Sequence, residues 1–168
     1  MRLLLGAVMV LAGALIAGAA SAQTTPTTQQ LYDTCYAPDA SDDDTISSCS
    51  VLINGGQYSG TELSHLYNNR GTGYHGKKQL DLALADYLKS IQLDPSNAEA
   101  HKNAANIYYD QGQYRRALGE FDTAIQLKPD YAHAYHDRGL TKQQLGDQDG
   151  GQADLDMAAR LEATAGGH

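Results

Sequence analysis

The sequence predicts an all-α protein, three stacked antiparallel helix-pair repeats preceded by an N-terminal packing helix. Three observations carry this. Apolar residues recur at helical spacing from Thr61 almost to the end, with no strand-like alternation. Gly, Pro and Asp-Pro breaks divide that stretch at regular intervals. The pattern also repeats every 34 residues, so that Ser64–Asn97, Ala98–Tyr131 and Ala132–Ala165 lie in register. Tyr67, His101 and Tyr135 align, as do Gly71, Ala105 and Gly139, then Ala83, Ala117 and Gly151, then Tyr87, Phe121 and Leu155. A period of this length marks a stack whose units bury their apolar faces against one another.

The elements follow in order. Met1-Arg2, the apolar run from Leu3 to about Ala20 and Ala20-Ser21-Ala22 read as a secretory signal peptide over residues 1–22. An uncleaved anchor is the alternative, since about 18 apolar residues nearly span a bilayer. Cleavage leaves 146 residues, one domain, with no segment that inserts in a membrane. It carries 11 basic and 20 acidic side chains, a formal charge of -9. That balance argues against nucleic acid and anionic membranes, which select for Lys and Arg.

Residues 23–43 read as a disordered or loop leader, Thr-rich at first and acidic from Pro38 to Asp44, with a short helical turn over Leu31–Tyr36. Asp44 to Asn54 carries Ile46, Cys49, Leu52 and Ile53 at helical spacing, capped by Asp43 or Asp44 and ended by Gly55-Gly56. This helix and its linker fill residues 44–63. Cys35 and Cys49 are the only cysteines. In an oxidising compartment two neighbouring cysteines pair. Neither a CxxC nor a nearby histidine favours redox or metal chemistry.

The three repeats occupy 64–97, 98–131 and 132–165, and 166–168 form a tail. The first runs from Thr61-Glu62 through Tyr74, turns at Gly76-Lys77-Lys78, and returns through Leu80, Ala83, Leu84, Tyr87, Leu88 and Ile91 to Asp94-Pro95. The second places helices over Ala98–Gln111 and Tyr114–Gln126 around Gly112-Gln113. The third places them over Ala132–Leu145 and about Gln148–Glu162 around Gly146-Asp147. Small residues allow close helix contact and large ones fill the gaps. Arg70 with Asp86, and Arg138 with Asp154, occupy equivalent places, where the middle unit has Ala104 and Glu120. They are either helix-to-helix ion pairs or solvated charge.

The second unit resembles a tetratricopeptide repeat. The family's small pair corresponds to Ala104-Ala105, its helix A tyrosine to Tyr108 and its turn glycine to Gly112. Its helix B set corresponds to Ala117, Phe121 and Ala124, and its closing proline to Pro129. The first unit departs at Lys78 and Ser90, the third at Lys142, Gly151 and Ala163. The N-terminal Cys-helix is similar to the opening of exported bacterial proteins of this family. The resemblance implies that helix A of each unit lines a concave, partner-binding groove. On this chain that groove would present His65, Asn68, Thr72 and His75, then Glu99, Lys102, Asn106 and Tyr109, then His133, His136, Leu140 and Gln143. Lys102, Asn106 and Asn103 resemble part of a carboxylate clamp, but Asp137 stands where its cation belongs. An ordinary polar groove is the preferred reading.

The resemblance therefore implies a non-catalytic protein-interaction scaffold in the bacterial cell envelope, periplasmic or secreted, that binds another protein or a peptide. Two alternatives remain. The last helix, with Leu155, Met157, Ala158 and Leu161, could pair with a second copy or a partner. His133 and His136, three apart on one helix, could share a metal or small ligand, though no completing ligand stands at recognisable spacing. His101 falls at a packing position and reads as a core histidine. No nucleophile motif, catalytic carboxylate pair or phosphate loop is present, and no cofactor is expected.

Overall fold

The computed structural model describes residues 25–165, so the signal-peptide reading of 1–22 and the tail at 166–168 lie outside the described residues. Eight helices follow one another: α1 (Thr28–Tyr36), α2 (Asp42–Asn54), α3 (Gly60–Gly76), α4 (Leu80–Leu93), α5 (Ala98–Asp110), α6 (Tyr114–Leu127), α7 (Ala132–Gln144) and α8 (Gln148–Ala165). No strand occurs among the described residues. Helices α3 to α8 form the three repeats, with turns where the sequence places them.

The N-terminal segment departs from expectation. Residues 23–43 read as a leader, yet α1 begins at Thr28. Its start is a capping box: the Gln30 backbone N–H donates to Thr27 Oγ1 at 3.2 Å, and the Thr27 N–H donates to Gln30 Oε1 at 2.8 Å. Helix α2 begins two residues earlier than read. Ser41, not Asp43 or Asp44, caps it, accepting from the Asp44 N–H at 3.2 Å. Asp42, Asp43 and Asp44 form the first helical turn, where carboxylates favour the positive end of the helix dipole.

A disulfide joins Cys35 of α1 to Cys49 of α2. Both sulfurs are buried with Leu52 and Leu66 in the first core cluster, walled by Leu31, Tyr32, Tyr36 and Tyr58. Helix α2 packs on α3 as α4 packs on α5 and α6 on α7, and α1 touches α3 as α3 touches α5. The N-terminal segment is therefore a complete helix pair. It forms a fourth layer of the stack, without the repeat's sequence.

The array has a definite inner side. Consecutive odd-numbered helices touch one another, while no two even-numbered helices do among the described residues. Such a stack curves with α1, α3, α5 and α7 on its concave side.

The core is a row of clusters and not one centre. Ala83 and Tyr87 pack with Ala104 and Ile107 across the first joint. Ala105 and Tyr108 pack with Ala117 and Phe121 inside the middle repeat. Ala124 and Ile125 meet Ala134 across the last joint. The aligned small residues sit at the closest approaches. A Cβ at Gly71 would lie 2.8 Å from the Tyr87 ring, and one at Gly139 would lie 2.8 Å from the Gly151 carbonyl oxygen. The third repeat thus brings backbone against backbone, where Ala105 and Ala117 hold the middle pair. The turn positions Lys78, Gly112 and Gly146 all have positive φ, at 58°, 72° and 89°. Lysine stands in a left-handed conformation that glycine adopts without steric cost.

Candidate peptide-binding face

Both outer repeats join helix A to helix B through a fork of hydrogen bonds. Arg70 Nε donates to Asp86 Oδ2 at 2.7 Å and Nη2 to Oδ1 at 2.8 Å. Arg138 does the same to Asp154, at 2.7 Å for both bonds. The ion-pair reading of these positions holds, and solvated charge does not. Each arginine lies over the aligned tyrosine, Tyr67 or Tyr135, at 5.2 Å from the ring centroid. Each also reaches the preceding layer, Arg70 to Ser50 Oγ at 3.3 Å and Arg138 to Asp122 Oδ1 at 2.7 Å. Burial pushes the Asp154 carboxyl up, but hydrogen bonds from Arg138 and Lys142 outweigh it and hold the group below the usual carboxylate range.

The middle repeat reaches the same connection differently. His101 replaces the tyrosine and Ala104 the arginine. His101 Nδ1 lies 2.7 Å from Glu120 Oε2, and Nε2 lies 3.1 Å from the Pro95 carbonyl oxygen. Both ring nitrogens face acceptors, so both donate only in the imidazolium form. The hydrogen bond to Glu120 raises the His101 pKa against the opposing effect of burial. The reading of His101 as a core histidine holds: it is 7% exposed and both ring nitrogens have a partner.

Ser90, which departs from the repeat's alanine, is explained by its neighbours. Ser64 Oγ donates to the Ser90 carbonyl at 2.9 Å. Asn97 Nδ2 donates to Ser64 Oγ at 3.1 Å and to Ser90 Oγ at 3.2 Å. Asn97 Oδ1 accepts from the Ala100 N–H and caps α5. The aligned positions of the middle repeat are Ala98, Ala124 and Tyr131. All three polar residues therefore occur together in the first joint and are together absent from the second.

On the concave side the expected groove residues divide. A cavity of about 220 Å³ opens between α3, α5 and α7, lined by His75, Asn106, Tyr109, Asp110, Asp137 and Leu140. A second, of about 210 Å³, lies toward the N-terminal pair. It takes Thr72 and Glu99 together with Asn69, Asp42, Thr45 and the Cys35–Ala40 stretch. Lys102 is half-buried, its Nζ 6.0 Å from the Tyr131 ring centroid. His65, His133 and His136 are exposed outside both cavities, and Gln143 is half-buried beside Gly151.

Asn68 departs from the groove reading. It is 2% exposed and accepts from Asn103 Nδ2 at 3.0 Å, so its amide binds α3 to α5 and is not presented to a partner. Residue spacing places it on the helix A face, but the close approach of α3 and α5 covers it. Asn69, one position on, reaches instead to the Cys35 carbonyl at 3.2 Å and ties α1 to α3.

Two lining residues were missed as groove residues. Asp110 is the last residue of α5, outside the helix A positions carried over from the family. Asp137 stands one residue past His136 and registered only as an obstacle to a clamp. Among the described residues no group of three or more His, Cys, Asp or Glu could hold a metal ion. None of the described helices is long and apolar enough to cross a membrane.

The family described as TPR repeat matches residues 71–111 and 105–146. No curated protein matches the chain significantly. Among solved structures, MamA superposes with a TM-score of 0.65 at 20% identity, over 76% of this chain and 72% of that one. The first TPR of Spaghetti (RPAP3), bound to the HSP90 peptide SRMEEVD, gives 0.61 at 23% identity, over 64% and 86%. YrrB, a TPR protein with an unusual peptide-binding site, gives 0.61 at 19%, over 73% and 61%. At these identities the likeness establishes the fold. The chain is an all-α solenoid, and residues 71–146 match the TPR repeat family.

Proposed function

We propose that the chain is a non-catalytic adaptor of the bacterial cell envelope. It holds an extended segment of a partner protein against the concave side formed by α3, α5 and α7. The observation that carries this reading is the cavity between those helices, where Asn106, Tyr109 and Leu140 combine polar and apolar surface. The Spaghetti TPR and YrrB, which share the fold, bind or have a site for peptides. The envelope location is supported by the signal-like sequence of residues 1–22 and by the disulfide between Cys35 and Cys49.

Affinity capture from the native envelope, with the partner identified by mass spectrometry, tests the reading. Capture that is lost in the Asn106→Ala/Leu140→Ala variant supports it. Capture that survives there but is lost in Leu161→Asp moves the surface to the outer face of α8. Leu161 is the cleaner choice there, because Leu155 packs against Gly139.

A further inference from the structure

The cavity between α3, α5 and α7 has a charge pattern opposite to that of a carboxylate clamp. Two carboxylates line it, Asp110 from α5 and Asp137 from α7, and its lining contains no Lys or Arg. Each carboxylate has a histidine beside it. His75 Nε2 lies 3.7 Å from Asp110 Oδ2, and His136 Nδ1 lies 3.0 Å from Asp137 Oδ1. Lys102 is turned toward Tyr131, and Arg138 is held by Asp154 and Asp122. Neither is among the lining residues.

The contact with His75 is the only ion pair that Asp110 makes among the described residues. Asp110 is the last residue of α5, where the negative end of the helix dipole disfavours a carboxylate. The aligned residues that end or nearly end the other A helices, Gly76 and Gln144, are uncharged. The rest of the lining is Tyr109 and Leu140, with Asn106 and His75. At about 220 Å³ the cavity takes one long side chain and is smaller than a typical small-molecule pocket.

We infer that this cavity is the specificity pocket of the groove and receives an arginine or lysine side chain from an extended, basic partner segment. The inference rests on the groove reading above. The aliphatic stem would lie on Leu140, the cationic head between Asp110 and Asp137, and a guanidinium against the Tyr109 ring. A negatively charged chain also draws a basic segment toward it before contact.

The test uses the purified full chain, with whatever N-terminal processing its host performs, and three probe peptides. These are acetyl-(Gly-Arg)4-amide, acetyl-(Gly-Ser)4-amide and acetyl-(Gly-Glu)4 with a free carboxylate. Amide chemical shifts are followed by NMR at 150 mM salt. The arginine peptide should shift resonances around Tyr109, Asp110, Asp137 and Leu140, and bind at least tenfold more tightly than the other two. Asp110→Asn/Asp137→Asn should abolish that preference, while Asp81→Asn, on the outer helix α4, should leave it unchanged. Asp110→Asn alone should not lower the melting temperature, which separates lost binding from lost folding.

If the serine or glutamate peptide fills the concave face equally well, the pocket assignment fails and the groove stands. If the arginine peptide shifts surface acids indiscriminately and Asp81→Asn weakens it as much, the assignment also fails. If none of the peptides perturbs the odd-numbered helices, the groove reading falls with it.

Discussion

The outer and middle repeats solve one structural problem with different chemistry. In the first and third, an arginine on helix A lies over a tyrosine ring and grips an aspartate on helix B. In the second, a histidine at the tyrosine position grips a glutamate at the aspartate position, and the arginine position is alanine. The repeat thus preserves a connection between helices and not the residues that make it. The two solutions also respond to pH in opposite directions. Asp154 has a lowered folded pKa, so its contribution is complete above about pH 3.9 and is lost as pH falls through that value toward the folded one. His101 has a raised folded pKa, so its contribution is complete below about pH 6.5 and is lost as pH rises through the folded value.

The largest effect should come from breaking an outer fork. Asp86→Ala leaves the largely buried Arg70 with the Ser50 hydroxyl as its remaining side-chain hydrogen-bond acceptor. A loss of about 3 kcal/mol in urea unfolding is expected. Asp154→Ala should cost a similar amount, because Arg138 keeps Asp122 but Lys142 also loses its partner. Equal and negligible losses would return both arginines to solvated charge. In the middle repeat Glu120→Gln should cost about 1–2 kcal/mol at pH 6 and less at pH 8.5, as measured by the same unfolding curves. A loss that grows with pH would contradict a charged His101. The smallest effect concerns the turns. Lys78→Gly should stabilise the first repeat by about 1 kcal/mol, because it removes the side chain from a left-handed position. A fall in melting temperature would mean that the lysine contributes elsewhere.

The architecture was legible because the period is a packing constraint. Gly71, Ala83, Ala105 and Ala117 are small where helices touch, and sequence alone shows it. The fork was legible in part: Arg and Asp vary together between units, but spacing alone left solvated charge open. The N-terminal pair was half legible. Thr27 and Gln30 are spaced as a capping box, but the Thr-rich composition around them masked the signal, and α1 lacks the repeat's register. Asn68 was misplaced because spacing gives the face of a helix and not how closely the next helix covers it. Asp110 escaped because it ends α5, at a position that helix A spacing does not include. The cavity needs α3, α5 and α7 together, and no single repeat contains it.

The central claim is that partners meet the concave side. Site-specific photocrosslinking in the native host tests it most directly. A benzophenone side chain is placed in turn at Thr72, Asn106 and Leu140 on the odd helices, and at Leu82, Leu88 and Leu127 on the even ones. All three of the latter are exposed. Adducts of one common protein from the first set and none from the second are the expected result. Adducts that form chiefly from Leu82, Leu88 and Leu127 would contradict the account.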